Sequence, residues 1–192
     1  MPVGIVLAGG LSTRAGQDKA GLPWCGTDFL HTVLERLGQV CPERIVVMNR
    51  VWIPDVPGVK VVGDIIPQCG PLSGIHAGLS SCPDQQAFIT ACDMPFLAPA
   101  AVEYLLSVSS GWDAVVPVRG SELEPLFAVY ARSCIPVIES LLQQNFRKVQ
   151  RLFSLIRYRT IDCEEFRRFD PHLNLFRNIN TMDEYREAKG DE

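Results

Sequence analysis

The hydrophobic pattern of the chain alternates between two kinds of segment. Short, mainly apolar runs predict buried strands, whereas apolar residues spaced three and four positions apart predict amphipathic helices. This alternation predicts a three-layer α/β/α sandwich around a mostly parallel, Rossmann-like sheet. The predicted strands are residues 3–8, 44–49, 60–64, 87–92, 114–118, 125–130 and 156–161, and the helices are 29–40, 71–81, 99–107, 134–143 and a closing helix after 181.

Several predicted helices carry start signals in the sequence. Asp28 precedes the first helix and can cap it, because a carboxylate accepts hydrogen bonds from the free N–H groups of the first turn. Pro71 fits the first position of a helix, where its missing N–H has no consequence. Thr181 and Glu184 have the spacing of a capping box. These signals predict where three helices begin.

The first strand ends in a loop that combines glycine with positive charge. Residues 9–19 contain three glycines together with Arg14 and Lys19. Glycine lets backbone N–H groups approach an anion closely, and the two side chains supply cationic charge. Because open α/β sheets bind ligands at the carboxyl ends of their strands, this loop is a candidate phosphate cradle. A glycine turn followed by a solvated basic loop is the alternative interpretation.

The loop departs from two common phosphate-binding motifs. Gly16 is followed by Gln17, whereas a Walker A loop requires G-K-[ST] at this point. Gly9 and Gly10 are adjacent, so the G-x-G-x-x-G fingerprint is also not matched. The loop is therefore neither a P-loop nor a dinucleotide fingerprint.

Polar side chains also end three other predicted strands. Asn49 and Asp64 close the second and third strands, and Asp93 follows the apolar run 87–92. Asn and Asp at such positions often only form turns. However, Asp93 would face the same crevice as the first loop, and a carboxylate there suits Mg²⁺, which binds oxygen ligands together with substrate phosphates.

Length, composition and charge restrict the class of protein. The 192 residues fit a single domain, residues 1–192, and 47% apolar with 21% charged residues is typical of globular proteins. A net charge of −4 argues against broad nucleic-acid binding. No apolar run reaches membrane-spanning length, and the first apolar run is too short for a signal peptide. We expect a cytoplasmic protein.

The seven cysteines do not form a metal-binding or disulfide pattern. Their number is odd and no C-x-x-C pair occurs. Several lie in apolar segments, where cysteine packs as a small hydrophobe. Cys69, between Gln68 and Gly70 in a glycine-rich turn, is the candidate for a reactive thiol.

At residues 7–19 the chain resembles the signature L-A-G-G-x-S-x-R-M-G-x-D-K of nucleotidyltransferases with a glycosyltransferase-A-like fold. Within that group it is most similar to the molybdenum cofactor guanylyltransferases. Ala15 replaces the usual Met, and Gly21 stands where an aliphatic residue is usual. Further family motifs follow in order: G-P-L-x-G at 70–74, C-D-x-P at 92–95, E/H-P-L-x-A-x-Y at 124–130, G-x-R-K-V at 145–149 with Asn145 for Gly, and F-x-N-x-N-T at 176–181.

The resemblance implies a nucleotide-diphospho-sugar transferase type of fold and a specific reaction. The reaction is Mg²⁺-dependent transfer of GMP from GTP to the molybdopterin-bound molybdenum cofactor, with release of pyrophosphate. Arg14, Lys19 and Asp93 are implied as catalytic, with Asp93 holding the metal. The residues implied in GTP binding are Leu7, Ala8, Gly9, Gly10, Lys19, Asn49, Asp64 and Asp93.

The resemblance also implies an acceptor site and partners. For the basic pair at 147–148, the alternative interpretation is a solvated surface without a ligand. For the turn at 119–124, the alternative interpretation is a β-hairpin with a solvated turn. Cofactor-delivery proteins and molybdoenzymes are implied as protein partners. The residues implied in acceptor binding are Arg119, Glu124, Arg147, Lys148, Asn178 and Asn180.

Two other functions are compatible with the same sequence. A related nucleotidyltransferase could use CTP on this cofactor or act on a different phosphate acceptor. A non-catalytic homologue could bind nucleotide or pterin and deliver it to client enzymes. Loss of Lys19 or Asp93 would have favoured the second function, and both residues are present.

Overall fold

The structure is a computed structural model that describes residues 1–9, 23–24, 26–49, 55–66 and 70–190. The strands are β1 (Val3–Leu7), β2 (Pro23–Trp24), β3 (Thr27–Asp28), β4 (Glu43–Val47), β5 (Val59–Val62), β6 (Gln86–Ala91), β7 (Ala114–Arg119), β8 (Glu122–Leu123), β9 (Phe127–Ala131) and β10 (Tyr158–Asp162). The helices are α1 (Phe29–Gly38), α2 (Pro71–Ser81), α3 (Pro99–Ser107), α4 (Ile135–Gln143), α5 (Gln150–Phe153) and α6 (Met182–Gly190).

Eight strands of the described part of the chain form one mixed sheet in the order β10-β7-β9-β6-β1-β4-β5, with β8 paired to β7. The pairs β1–β4, β1–β6, β4–β5 and β7–β10 are parallel, which confirms the predicted mostly parallel sheet. Strand β9 is antiparallel to both of its neighbours. The connection from β7 to β9 is too short for the crossover that a parallel pair requires, so the chain turns back at Gly120, whose φ is 61°.

Hydrophobic side chains cover both faces of this sheet, as the sandwich requires. On β1, Val6 packs with α1 and α3, whereas Val3 and Ile5 pack with α2, α4 and α5 on the other face. All three β1 side chains are fully buried. The continuous apolar run of β1 therefore reflects its central position between two helical layers.

Helix α2 lies close to β1 because two of its residues are glycines. A Cβ atom at Gly78 would lie 2.6 Å from Ile5 Cγ2, and one at Gly74 would lie 3.2 Å from Leu7 Cδ2. This packing brings the start of α2 next to the carboxyl end of β1, where the glycine-rich motif begins.

The predicted helix starts are confirmed at atomic detail. Asp28 Oδ1 accepts a hydrogen bond from the His31 N–H at 2.8 Å, and α2 begins at Pro71. Thr181 and Glu184 form the capping box, with the Glu184 N–H 3.1 Å from Thr181 Oγ1 and the Thr181 N–H 2.9 Å from Glu184 Oε2. Strand ends were predicted less well, since β4 and β5 end two residues before Asn49 and Asp64.

Candidate active site

The carboxyl ends of four neighbouring parallel strands meet at one edge of the sheet. The last residue of β1, Leu7, is in register with Val47 of β4 and Ala91 of β6. Backbone hydrogen bonds continue past the strands, from Ala8 N–H to Val47 O at 2.9 Å and from Cys92 N–H to Leu7 O at 3.1 Å. This edge therefore carries the segments that follow β1, β4, β5 and β6, as the sequence predicted.

Asn49 and Asp64 form a reciprocal pair at this edge. Asn49 Nδ2 donates to Asp64 Oδ2 at 2.9 Å, and the Asp64 N–H donates to Asn49 Oδ1 at 2.8 Å. Gly63 allows this contact, because a Cβ atom there would lie 3.3 Å from Asn49 Oδ1. The carboxamide thus fixes the orientation of the Asp64 carboxylate at the rim of the crevice, a relation that the spacing of the two residues did not reveal.

Asp93 stands at the centre of the edge, two residues after the end of β6. The Met94 N–H bonds to the Ala91 carbonyl oxygen at 3.3 Å, so the chain turns sharply beside the Asp93 side chain. Asp93 Oδ1 is shielded from solvent. Asp93 as a whole is only partly buried, so this residue lies at the surface of the edge.

The turn at 176–181 is attached to Asp93 through the backbone. The Ile179 N–H donates to the Asp93 carbonyl oxygen at 2.9 Å, and the Ile179 side chain is buried. Asn178 and Asn180 flank Ile179 and are exposed. The structure thus brings the two asparagines, which are more than eighty residues away in sequence, next to the predicted metal ligand.

Arg119 and Glu124 lie further along the same edge. Because β7 runs in the same direction as β6, with only β9 between them, the end of β7 lies about 10 Å from the end of β6. Burial raises the pKa of the half-buried Glu124 carboxyl, while the Arg119 guanidinium lowers it. The two side chains therefore interact electrostatically. The β7–β8 hairpin, the alternative interpretation of this turn, is also present.

The tyrosine of the E-P-L-x-A-x-Y motif has a bracing role that the sequence did not indicate. Tyr130 is fully buried, and its hydroxyl donates to the Pro125 carbonyl oxygen at 2.8 Å. The Phe127 N–H also bonds to the Glu124 carbonyl oxygen at 3.0 Å. Glu124 is thus held on a rigid bend rather than on a free loop.

The basic segment 145–149 contacts the turn that begins α2. A Cβ atom at Gly70 would lie 3.8 Å from the Arg147 carbonyl oxygen. Arg147 and Lys148 are both exposed. Asn145 has a φ of 60°, a left-handed conformation that asparagine tolerates, which explains how it can occupy the glycine position of the motif.

Three of the predicted site residues lie outside the described part of the chain: Gly10, Arg14 and Lys19. The candidate reactive thiol, Cys69, lies outside it as well. The described cysteines at 41, 82, 134 and 163 are buried. An open cavity of about 330 Å³ bounded by Glu43 and Lys60 lies at the amino ends of β4 and β5, opposite the candidate site.

Sequence comparison connects this fold and edge to a known family. Residues 4–161 match the MobA-like NTP transferase domain. The chain belongs to this family of nucleotidyltransferases. It is 38% identical to a molybdenum cofactor guanylyltransferase from Desulfosudis oleivorans over 97% of this chain and 93% of that protein. It is 37% identical to a probable molybdenum cofactor guanylyltransferase from Pelotomaculum thermopropionicum over 97% of this chain and 91% of the relative.

A solved structure agrees with the sequence relatives. The crystal structure of molybdopterin-guanine dinucleotide biosynthesis protein A from Archaeoglobus fulgidus superposes with a TM-score of 0.84 at 29% identity, covering 98% of this chain and 96% of that one. The MobA-like chain is therefore a nucleotidyltransferase enzyme of molybdenum cofactor biosynthesis with the predicted fold. In its described residues, no helix is long and apolar enough to cross a membrane.

Proposed function

We propose that this MobA-like chain transfers GMP from GTP to the terminal phosphate of the molybdopterin-bound molybdenum cofactor. The names of its relatives support this reaction. The observation that carries the proposal is the shared edge, where the Asn49–Asp64 pair, Asp93 and the Asn178–Asn180 turn meet. A nucleotide and a second phosphate compound can lie side by side along such a crevice.

The reaction balances without a general base. An oxygen of the acceptor phosphate, already an anion, forms a bond to the α-phosphorus of GTP. The bond from this phosphorus to the bridging oxygen breaks in line, and pyrophosphate leaves with the electron pair. The protein's task is therefore to position the two substrates and to stabilise negative charge.

We assign the nucleotide to the β1–β4–β5 side of the edge. Asp64, oriented by Asn49, is placed to accept hydrogen bonds from the guanine or the ribose. The backbone after Leu7, at Ala8, Gly9 and Gly10, would approach the phosphates. Arg14 and Lys19 are assigned to the β- and γ-phosphates on their motif positions, where they would stabilise the leaving group.

Asp93 is the residue that would hold Mg²⁺. Within the described ranges, no three His, Cys, Asp or Glu side chains are grouped to hold a metal ion by themselves. A lone carboxylate beside a phosphate crevice fits Mg²⁺, which commonly uses one or two carboxylates plus phosphate oxygens. When bound, the ion would neutralise charge on the transferring phosphate.

We assign the acceptor to the region beside Asp93 that lies between the asparagine turn and the basic segment 145–149. Asn178 and Asn180 would donate hydrogen bonds from their carboxamides, and Arg147 and Lys148 would attract the acceptor phosphate. Arg119 and the braced Glu124 would line the far end of this site. Cofactor-delivery proteins and molybdoenzymes are the partners expected to receive the product.

A thermal-shift experiment tests the nucleotide. A ligand that binds only the folded protein stabilises it by about 2.7 kcal/mol at a hundred times its Kd. We expect a GTP-selective, Mg²⁺-enhanced shift among GTP, CTP, ATP and UTP. A CTP-selective shift would indicate cytidylyl transfer, and no shift with any nucleotide would contradict the proposal.

Substitution of Asp93 tests the metal site. Asp93→Ala should lower turnover at least about a hundredfold, since metal polarisation is worth several kcal/mol. Asp84→Asn is the matched control, because Asp84 lies just before the opposite end of β6. Its carboxylate accepts a hydrogen bond from the Gln85 N–H at 2.7 Å and pairs with the terminal amino group of Met1 at 3.4 Å. Near-normal turnover by a folded Asp93→Ala protein would remove Asp93 from the metal role.

A further inference from the structure

Positive charge is concentrated in one segment of this otherwise acidic chain. Residues 140–161 contain five of the 18 Lys and Arg residues and no Asp or Glu, so all 22 carboxylates lie elsewhere, together with the other 13 cations. The five cationic side chains of the segment are all exposed. Two of them, Arg147 and Lys148, belong to the proposed acceptor site. The other three lie further along the segment and are Arg151, Arg157 and Arg159.

These three further cations are only weakly neutralised by the protein itself. Arg157 Nε lies 3.7 Å from Asp113 Oδ2, and the arginine side chain is 76% exposed. Among the described residues, no carboxylate lies within 4.0 Å of the guanidinium of Arg151 or Arg159. The Arg151 guanidinium lies instead over the Phe146 ring, 5.0 Å from its centroid. The charge of this region is therefore available to a negatively charged partner.

Exposed hydrophobic side chains lie among these cations. Six large hydrophobic side chains are exposed in the part of the chain that the structure describes, and three of them are Trp112, Leu155 and Tyr158. The Asp113 N–H donates to the Arg157 carbonyl oxygen at 2.9 Å, which places the turn that carries Trp112 beside the start of β10. Exposed apolar side chains that are grouped and bordered by charge are typical of a protein–protein contact.

Strand β10 is also an outer edge of the sheet. In the described ranges, no strand lies beyond β10, and no backbone group bonds to residues 158–161 outside the pairing with β7. Four of the five residues of β10 are exposed. An edge strand presents a row of unpaired N–H and C=O groups that can pair with another chain. The backbone of β10 can therefore accept a further strand.

The side chains of β10 divide between its two faces. Arg159 is in register with Val115 and Tyr158 with Ala114, and these two β7 residues pack on opposite faces of the sheet. Since successive side chains of a strand alternate between faces, an added strand would meet a cation on one face and an aromatic ring on the other. A segment that alternates carboxylate and apolar side chains matches this arrangement.

We propose that β10, with the exposed side chains around it, is a docking surface for a partner protein that presents an acidic, extended segment. The segment adds a strand to the outer edge of β10. Its carboxylates lie beside Arg157 and Arg159, and its apolar side chains cover Leu155 and Tyr158. This surface lies outside the candidate active site, and the proposal does not depend on which reaction that site catalyses.

Two other occupants match the surface less well. In a symmetric contact between two copies of the chain, the same patch faces itself, so the cations of both copies would approach one another. A charged side chain on an edge strand also disfavours pairing with a strand that lacks the opposite charge. A nucleic acid would match the positive charge, but it cannot form a β ladder with the open backbone of β10. An acidic strand matches both features.

The test uses two synthetic heptapeptides that alternate Glu and Val. One has an ordinary backbone, and the other carries a methyl group on every backbone nitrogen, which keeps the charge and removes all N–H donors. Binding is measured from the amide chemical shifts of the full ¹⁵N-labelled chain. We expect the ordinary peptide to shift the resonances of residues 155–161 and the methylated peptide to bind at least about tenfold more weakly, since several hydrogen bonds are lost.

Arg159→Glu tests the contribution of charge. Reversal of one charge about 6 Å from a carboxylate in water should weaken binding of the ordinary peptide about tenfold. The melting temperature should stay within a few degrees of wild type, because the side chain is exposed. Lys60→Glu is the matched control, since it makes the same change of charge at an exposed position on β5, the strand at the other end of the sheet.

Four results would overturn the proposal. The first is the absence of shifts at residues 155–161 with millimolar peptide, and the second is equal binding of the ordinary and methylated peptides. The third is equal weakening by Arg159→Glu and Lys60→Glu, which would indicate a general attraction to anions. The fourth is a stronger shift of the same resonances by a single-stranded oligonucleotide of equal charge, or by a rise in protein concentration alone, which would assign the surface to nucleic acid or to a second copy.

Discussion

Replacing Asn49 by Asp would replace the hydrogen-bonded Asn49–Asp64 pair with two carboxylates that repel each other. In the wild type, Asn49 Nδ2 donates to Asp64 Oδ2 at 2.9 Å. Asn49→Asp keeps the shape and the acceptor oxygen that faces the Asp64 N–H, 2.8 Å away. It replaces the donor with a second carboxylate oxygen. Asp64 should then turn away from the orientation proposed for nucleotide binding.

The size of the effect follows from this distance. Two unit charges 2.9 Å apart repel by about 1.4 kcal/mol in a medium with the dielectric constant of water. The dielectric constant of water is appropriate here because the Asn49–Asp64 pair lies at an exposed edge. The lost hydrogen bond adds about 1 kcal/mol. The total, about 2.4 kcal/mol, predicts a roughly fiftyfold weaker binding of GTP at pH 8.

The sign of the pH dependence distinguishes repulsion from simple loss of a contact. At pH 8 both carboxylates of the variant are ionised, and the full loss is expected. As pH falls, one carboxylate takes up a proton, becomes a donor again and restores the bond. The ratio of wild-type to variant affinity should therefore shrink between pH 8 and pH 5.

The assay is titration calorimetry with a non-hydrolysable GTP analogue at pH 5 to 8 and constant ionic strength. Asn49→Ala is the control, since it removes both hydrogen bonds without adding charge and should show a pH-independent deficit. Affinity of Asn49→Asp equal to wild type at pH 8, or identical to Asn49→Ala at every pH, would refute the reasoning.

Two further predictions follow from groups whose pKa is shifted by burial. Because the pKa of Glu124 is raised in the folded protein, its contribution to stability is present at low pH and is lost as pH rises. The melting temperature of Glu124→Gln should therefore be higher than that of the wild type at pH 7.5, and this difference should vanish near pH 4. A difference in melting temperature that stays constant between these pH values would contradict the prediction. Burial raises the pKa of the Cys41 and Cys134 thiols to about 12. Both should resist iodoacetamide at pH 8 in the native protein and react in urea, as peptide mass spectrometry would report.

Local signals predicted the features that depend on neighbouring residues. The starts of α1, α2 and α6 were predicted because Asp28, Pro71 and the Thr181–Glu184 box act within one turn. The position of Asp93 was predicted because an apolar run ends directly before it. The ends of β4 and β5 were placed two residues too late, since a polar residue after a strand marks its end only approximately.

Contacts between distant residues could not be predicted in this way. The reversal of β9 depends on which strands pair, and its apolar sequence suits either direction. The Asn49–Asp64 pair and the bracing of Glu124 by Tyr130 depend on side-chain orientation after the strands have aligned. No periodicity in the sequence carries this information.

The sequence by itself determined the layered α/β class, the edge at which the candidate site lies and the residue types proposed to bind phosphate, because strand burial, caps and glycine-rich turns are encoded within a few residues. Only the tertiary structure decided which of these residues touch. Tyr185 and Pro23 are separated by 162 residues, and their contact exists only because Trp24 buries its ring between α1 and α6. Packing in three dimensions, rather than local preference, sets such a contact.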